Sequence, residues 1–173
     1  MAIPTSQLET WSNQGATVTA EATHTSVRYA LETANTSLVR GRNIQIFLQG
    51  SYRNVTNIYS DSDVDIVVQL SETLTYDLAR LAEPARGMKQ RELDNLGPAA
   101  YPWDNFRRDV VESLRRHYGA ANVLEGNKAL KLSPSSGRLA ADVVPAIAHK
   151  LYRRSRYTGR DRETYGTLQL GRE

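Results

Sequence analysis

The residues best suited to chemistry lie between Gly50 and Val68. An apolar run, Ile44, Ile46, Phe47 and Leu48, leads into Gly50-Ser51, so the pair falls where a strand hands over to a turn or a helix start. Backbone N–H groups at such a junction lack partners, glycine permits close approach, and the Ser51 hydroxyl adds a donor, a combination suited to phosphate. Asp63 and Asp65 follow in Ser62-Asp63-Val64-Asp65-Ile66. Residues two apart on a strand face the same side, so these carboxylates project together while Val64 and Ile66 pack behind them. Two fixed carboxylates repel unless a cation lies between them. Oxygen-only sites suit Mg²⁺, with Mn²⁺ as a substitute, held by one or two carboxylates and completed by phosphate and water. The stretch therefore reads as a grip on ATP or another nucleoside triphosphate, with Gly50 and Ser51 at one end and metal on Asp63 and Asp65 at the other.

The elements that must position these residues are legible from periodicity and punctuation. Pro4-Thr5-Ser6 with Glu9 predicts a short capped helix through Trp11. Thr17–Arg40 reads as a long helix, with Ala20, Val27, Leu31, Ala34 and Leu38 on one face and Gly41 as its stop. His24 lies on the same stripe and reads as a hydrogen-bonded histidine at the core edge. Asp61 reads as a turn acid. The stretch from Thr73 to Leu96 carries Pro84 and Gly87 and reads as broken helix and loop. Tyr101–Tyr118 is predicted helical, with Phe106, Val110, Leu114 and Tyr118 inward and Arg107, Arg108, Arg115 and Arg116 solvated. Two apolar runs, Val123–Leu132 and Leu139–Val144, flank Ser133-Pro134-Ser135-Ser136-Gly137 and predict a hairpin. Its second strand carries Asp142 among Ala140, Ala141, Val143 and Val144, where a carboxylate is costly to bury without a counter-charge. Lys128 and Lys131 fall on its first strand, where either could neutralise a leaving phosphate or simply point to water.

Length and composition bound the rest. The 173 residues suit one well-cored domain, and 40% apolar content suits a folded globular chain. The net charge of +3 is uneven: from His149 onward seven Lys or Arg stand against three acids, and the body is nearly neutral. In the tail Tyr152, Arg153, Arg154, Arg156, Tyr157 and Arg160 could clamp phosphates and stack bases, or could cover the sheet as a helix or loop. No cysteine occurs, which excludes disulfides and thiolate metal sites. No apolar run approaches the roughly 20 residues of a transmembrane helix. A cytoplasmic protein without membrane contact is the expectation. The sequence holds no Gly-x-x-x-x-Gly-Lys loop, His-Glu-x-x-His or Gly-x-Ser-x-Gly elbow.

Gly50-Ser51 at a strand end, then Asp63-Val64-Asp65 opening an apolar strand, resembles the nucleotidyltransferase superfamily that includes DNA polymerase beta. Spacing and flanking residues look most like the bacterial relatives of cyclic GMP-AMP synthase, the CD-NTases. The resemblance implies an α+β fold: a nucleotidyltransferase core whose mixed or antiparallel sheet packs with a long N-terminal helix and further helices. It implies N-terminal helices over 1–43, a catalytic core over 44–148 and a basic segment over 149–173 that is either the start of a second, mainly helical half or a tail. It also implies a third carboxylate on a neighbouring strand, which Asp142 matches. Asp63, Asp65 and Asp142 would then be catalytic and metal-holding, and Gly50, Ser51, Lys128 and Lys131 nucleotide-binding. The implied activity is synthesis of cyclic or linear oligonucleotide signals from nucleoside triphosphates in anti-phage defence. Partner proteins of a defence system are expected, and nucleic acid is not required. Two alternatives stay open: a minimal enzyme that adds AMP to a protein or RNA, and a catalytically silent nucleotide-binding module.

Overall fold

The computed structural model describes residues 15–33, 42–50, 63–154 and 161–168. Ser51, Asp61, the short helix expected at 5–11, Ala34, Leu38 and Gly41 lie outside the described residues, as do Arg156, Tyr157 and Arg160.

The first helix, α1, runs Gly15–Glu32. Its inward stripe is the one expected, with Ala20, Val27 and Leu31 buried and joined by Ala30. Thr23 is buried within that stripe and satisfied twice: its hydroxyl donates to Thr19 O at 2.8 Å and accepts from Leu139 N at 3.0 Å. His24 donates from Nε2 to Ile46 O at 3.3 Å, as a core-edge histidine should.

Strand β1, Ile44–Leu48, pairs antiparallel with β2, Val64–Arg80, in the register Leu48↔Ile66 and Ile46↔Val68. The length of β2 corrects the sequence reading of residues after Thr73 as broken helix and loop. Thr73, Thr75 and Tyr76 continue the strand because a distant partner, β5 (Ala141–Arg154), supplies its ladder as far as Arg80↔Arg153, across two irregularities. The helical part of that stretch is confined to α2, Ala85–Asp94, with Pro84 as its N-cap. Helix α3, Trp103–Tyr118, is amphipathic as expected and buries Phe106, Val110 and Leu114.

A 3₁₀ turn, Ala120–Asn122, leads into β3, Val123–Glu125, and β4, Leu130–Leu132. The expected single strand from Val123 to Leu132 is thus itself a hairpin, turned at Gly126-Asn127-Lys128-Ala129. A Cβ at Gly126 would lie 2.7 Å from Ala129 O, so the tight turn excludes any other residue there. Strand β4 then pairs antiparallel with the start of β5, giving the second hairpin predicted around Ser133–Gly137. The basic tail is neither helix nor loop at its start: β5 continues through residue 148 to Arg154 and pairs antiparallel with β6, Asp161–Leu168.

Among the described residues these strands form one mixed six-stranded sheet in the order β1-β2-β5-β4-β3, with β6 also on β5. Strand β2 lies along one edge of β5, while β4 takes residues 141–143 and β6 takes 147–154. Pro145, which has no N–H to offer, falls in the interval between them. One sheet face packs on α1 and α3 through Val64, Ile66, Val68, Leu70, Leu130, Leu132, Ala141 and Val143. The alternate residues Val67, Val144 and Ala146, with Phe47 and Ala129, form a smaller apolar cluster on the opposite face. Ser26 and Tyr118 join α1 to α3 through hydroxyls 2.8 Å apart.

Phe106 is completely buried and touches both Tyr101 and Trp103 edge-on or tilted, with ring centroids 6.4 and 6.0 Å away. Phe106→Ala is expected to cost about 3–5 kcal/mol of unfolding free energy, measured by denaturant titration.

Candidate active site

The carboxylates are placed by the pleat. Burying Val64, Ile66, Ala141 and Val143 against the helices turns the intervening Asp65 and Asp142 onto the opposite face. The parallel register then sets Asp65 directly across from Asp142. Neighbouring strands lie about 4.8 Å apart, so two acids sit at the closest lateral spacing a sheet allows. Burial raises the pKa of Asp65 above its ordinary value, and the charges of Asp142 and then Asp63 raise it further. Oδ1 of Asp142 is buried without a hydrogen-bond partner. Protein interiors seldom leave a carboxylate oxygen so placed.

Asp63 lies at the edge of the site. It stands exposed one residue before β2, so it does not join the row that Asp65 and Asp142 share. Its charge reaches Asp65, yet among the described residues no three acidic or imidazole side chains converge on one point. The structure brings together a pair with a third acid at the rim, rather than a closed trio.

Gly50 closes one end of the site. Gln49 N donates to Asp65 O at 2.8 Å and carries β1 pairing up to the level of the acid. At Gly50 the chain takes φ +71°, and a Cβ there would lie 2.3 Å from Asp65 Oδ2. Both the backbone angle and the contact exclude a side chain, so the glycine backbone lies directly against the carboxylate.

The two lysines separate. Lys131 is the register partner of Asp142 on β4 and is exposed, so the row across the sheet reads Asp65, Asp142, Lys131. Lys128 lies in the β3–β4 turn instead of on a strand, away from that row. The sequence reading also missed a set of charges. Arg107, expected in solvent, is buried: it donates from Nη1 to Glu125 Oε2 at 2.9 Å and from Nη2 to Gly126 O at 3.0 Å. Arg115 Nη1 lies 3.1 Å from the other Glu125 oxygen. The available signal was Gly126-Asn127, a turn dipeptide that places Glu125 at a strand end facing the helix.

A mixed sheet backed by helices on one face, with an acid pair on the other, is the architecture of a nucleotidyltransferase core. No protein-family model matches the chain. It is 38% identical over 164 residues to the cyclic nucleotide synthase CdnE01 of Staphylococcus haemolyticus, a match covering 94% of this chain and 53% of that protein. It is 41% identical over 152 residues to the cyclic UMP-AMP synthase of Rhodothermus marinus, covering 88% and 48%. The solved structure of the Rhodothermus marinus CdnE c-UMP-AMP synthase with Apcpp and Upnpp matches at a TM-score of 0.69 and 34% identity, covering 98% of this chain and 57% of that one. The chain belongs to the CD-NTases, the cyclic GMP-AMP synthase-like branch of the nucleotidyltransferase superfamily. It spans about half the length of the curated relatives it matches. No helix among the described residues is long and apolar enough to cross a membrane.

The raised pKa of Asp65 sets a pH dependence. Below about pH 3.9, the ordinary value for an aspartate, the acid is largely protonated folded and unfolded, and stability is at its fullest with respect to this group. As pH rises through the folded value, the folded state must release a proton it holds more tightly, and stability is lost. In chelator at about pH 7, Asp65→Asn should therefore melt above the unsubstituted protein, and the gap should close as pH falls below about 3.9. Thermal melts at the two pH values check this.

Proposed function

We propose that this chain is the catalytic core of a metal-dependent nucleotidyltransferase that joins nucleoside triphosphates into cyclic or linear oligonucleotide signals. The observation that carries the reading is the acid pair: Asp65 and Asp142 in register, with Asp142 Oδ1 buried and unpartnered. A divalent cation fits that arrangement. Oxygen is the only donor type, the two acids repel without a counter-charge, and Mg²⁺ is commonly held by one or two carboxylates with phosphates and water. Asp65 and Asp142 would hold it, with Asp63 contributing from the rim, and Mn²⁺ would substitute. When bound, the metal supplies charge neutralisation at the phosphates and at the developing oxyanion.

The chain's own residues do the positioning. The Gly50 backbone, held against Asp65, would present its N–H to a phosphate oxygen, and the Ser51 hydroxyl would donate beside it. Asp142 would orient the acceptor hydroxyl and take its proton. Lys131, across from Asp142, would meet the charge that builds on departing pyrophosphate. Phosphoryl and nucleotidyl transfer needs this alignment and charge stabilisation more than covalent help. Relatives named for cyclic nucleotide synthesis support an oligonucleotide product over AMP transfer to a protein or RNA, and a neighbour solved with Apcpp supports ATP as one donor. A role in anti-phage defence, partner proteins of a defence system and a cytoplasmic location belong to the same proposal.

Supplying labelled nucleoside triphosphates with Mg²⁺ or Mn²⁺ and following pyrophosphate release tests the reading. Asp65→Asn and Asp142→Asn should each lower turnover on the order of 10²–10³-fold while the fold persists. Unchanged turnover in either variant removes that carboxylate from the reaction. Mass spectrometry of the products separates a phosphodiester-linked oligonucleotide from a labelled macromolecule.

A further inference from the structure

The acid pair sits on long strands, but Lys131 does not. Its strand has three residues and meets β5 at three register positions, Leu130↔Val143, Lys131↔Asp142 and Leu132↔Ala141. The strand beyond it, β3, is equally short and forms the sheet edge. Two-stranded pieces of this size are marginal on their own, and a slip of one residue would send Lys131 to the other face. Something beyond the ladder must hold this hairpin.

The hairpin is gripped from α3 by charge. Glu125, the last residue of β3, uses both carboxylate oxygens, one on Arg107 at 2.9 Å and one on Arg115 at 3.1 Å. Arg107 reaches past it to Gly126 O at 3.0 Å, so the same side chain fixes both the strand end and the turn. Arg107 has a side chain only 8% exposed, and that of Glu125 is 20% exposed. Screening by solvent is therefore weak, and loss of one partner leaves charge stranded in a poorly solvated place. Arg115 is more open, at 39%.

We propose that Glu125, clamped by Arg107 and Arg115, is a positioning residue for nucleotide binding. It acts through Lys131, by holding the β3–β4 hairpin in the register that sets Lys131 across from Asp142. The clamp contacts neither acid of the pair, so its influence on the site travels through the five residues of turn and strand from Gly126 to Leu130. The choice of ligand rests on the nucleotidyltransferase reading; the choice of residues rests on the hairpin alone.

Two measurements test the proposal on the full chain. The first is amide hydrogen exchange without nucleotide. Glu125→Gln, and the milder Arg115→Gln, should speed exchange at Leu130–Leu132 while the β1–β2 ladder keeps its protection. Unchanged protection of Leu130–Leu132 in both variants overturns the clamp. The second is a double-mutant cycle on affinity for Apcpp with Mg²⁺, read by calorimetry. Glu125→Gln should weaken binding about tenfold in the native background and leave affinity unchanged in a Lys131→Met background, because coupled residues are not additive. Equal losses in both backgrounds would show a general structural role and refute the route through Lys131. If the unsubstituted chain fails to bind Apcpp, the nucleotide reading fails and with it the route to a nucleotide. Exchange then still decides whether the clamp holds the hairpin.

Discussion

Repulsion between two carboxylates, enforced by strand register, is the constraint on which the structure turns. Asp65 and Asp142 are neighbours because Val64, Ile66, Ala141 and Val143 are buried against the helices, and the pleat leaves their alternates nowhere else to go. The apolar core thus imposes an electrostatic cost on the other side of the sheet. Asp65 has a pKa raised by burial first and then by the charges of Asp142 and Asp63, and Asp142 keeps an unpartnered oxygen. A fold selected for stability alone would place an asparagine or a valine at one of these positions. Two adjoining acids at this spacing fit the proposed metal site.

The surroundings serve that pair by controlled approach. On the β1 side, Gly50 brings backbone so close to Asp65 that no Cβ fits. On the β4 side, Lys131 is the register partner of Asp142 on the same sheet face. Donors suited to phosphate therefore flank acids suited to metal along one line across four strands. The line is perpendicular to the strands, so its spacing follows from sheet geometry more than from loop conformation. Lys128, which shared the lysine reading, is excluded from the line by the turn at Gly126.

Features governed by local pattern were legible in the sequence. Strand β1 running into Gly50, the inward stripes of α1 and α3, and Asp142 in an apolar strand after a Ser-Pro-Ser-Ser-Gly turn all follow from periodicity and turn chemistry. What escaped was governed by distant partners. The second half of β2 looks like loop until His149 arrives to pair with Thr75 and to share a 2.9 Å hydrogen bond with its hydroxyl. Tyr152 looked like part of a basic clamp, yet it is buried with Leu78, Leu81 and Leu93. Arg107 reads as a solvated helix residue until Glu125 is folded onto it.

The divided edge of β5 has an evolutionary consequence. Since β4 pairs with β5 only as far as Val143, β6 pairs with it only from Ile147, and Pro145 occupies the interval, the two halves of that strand answer to different neighbours. Drift in the distal ribbon meets a firebreak before it can disturb the acid. A change in length or charge at the far end can therefore be absorbed without moving the register at Asp142.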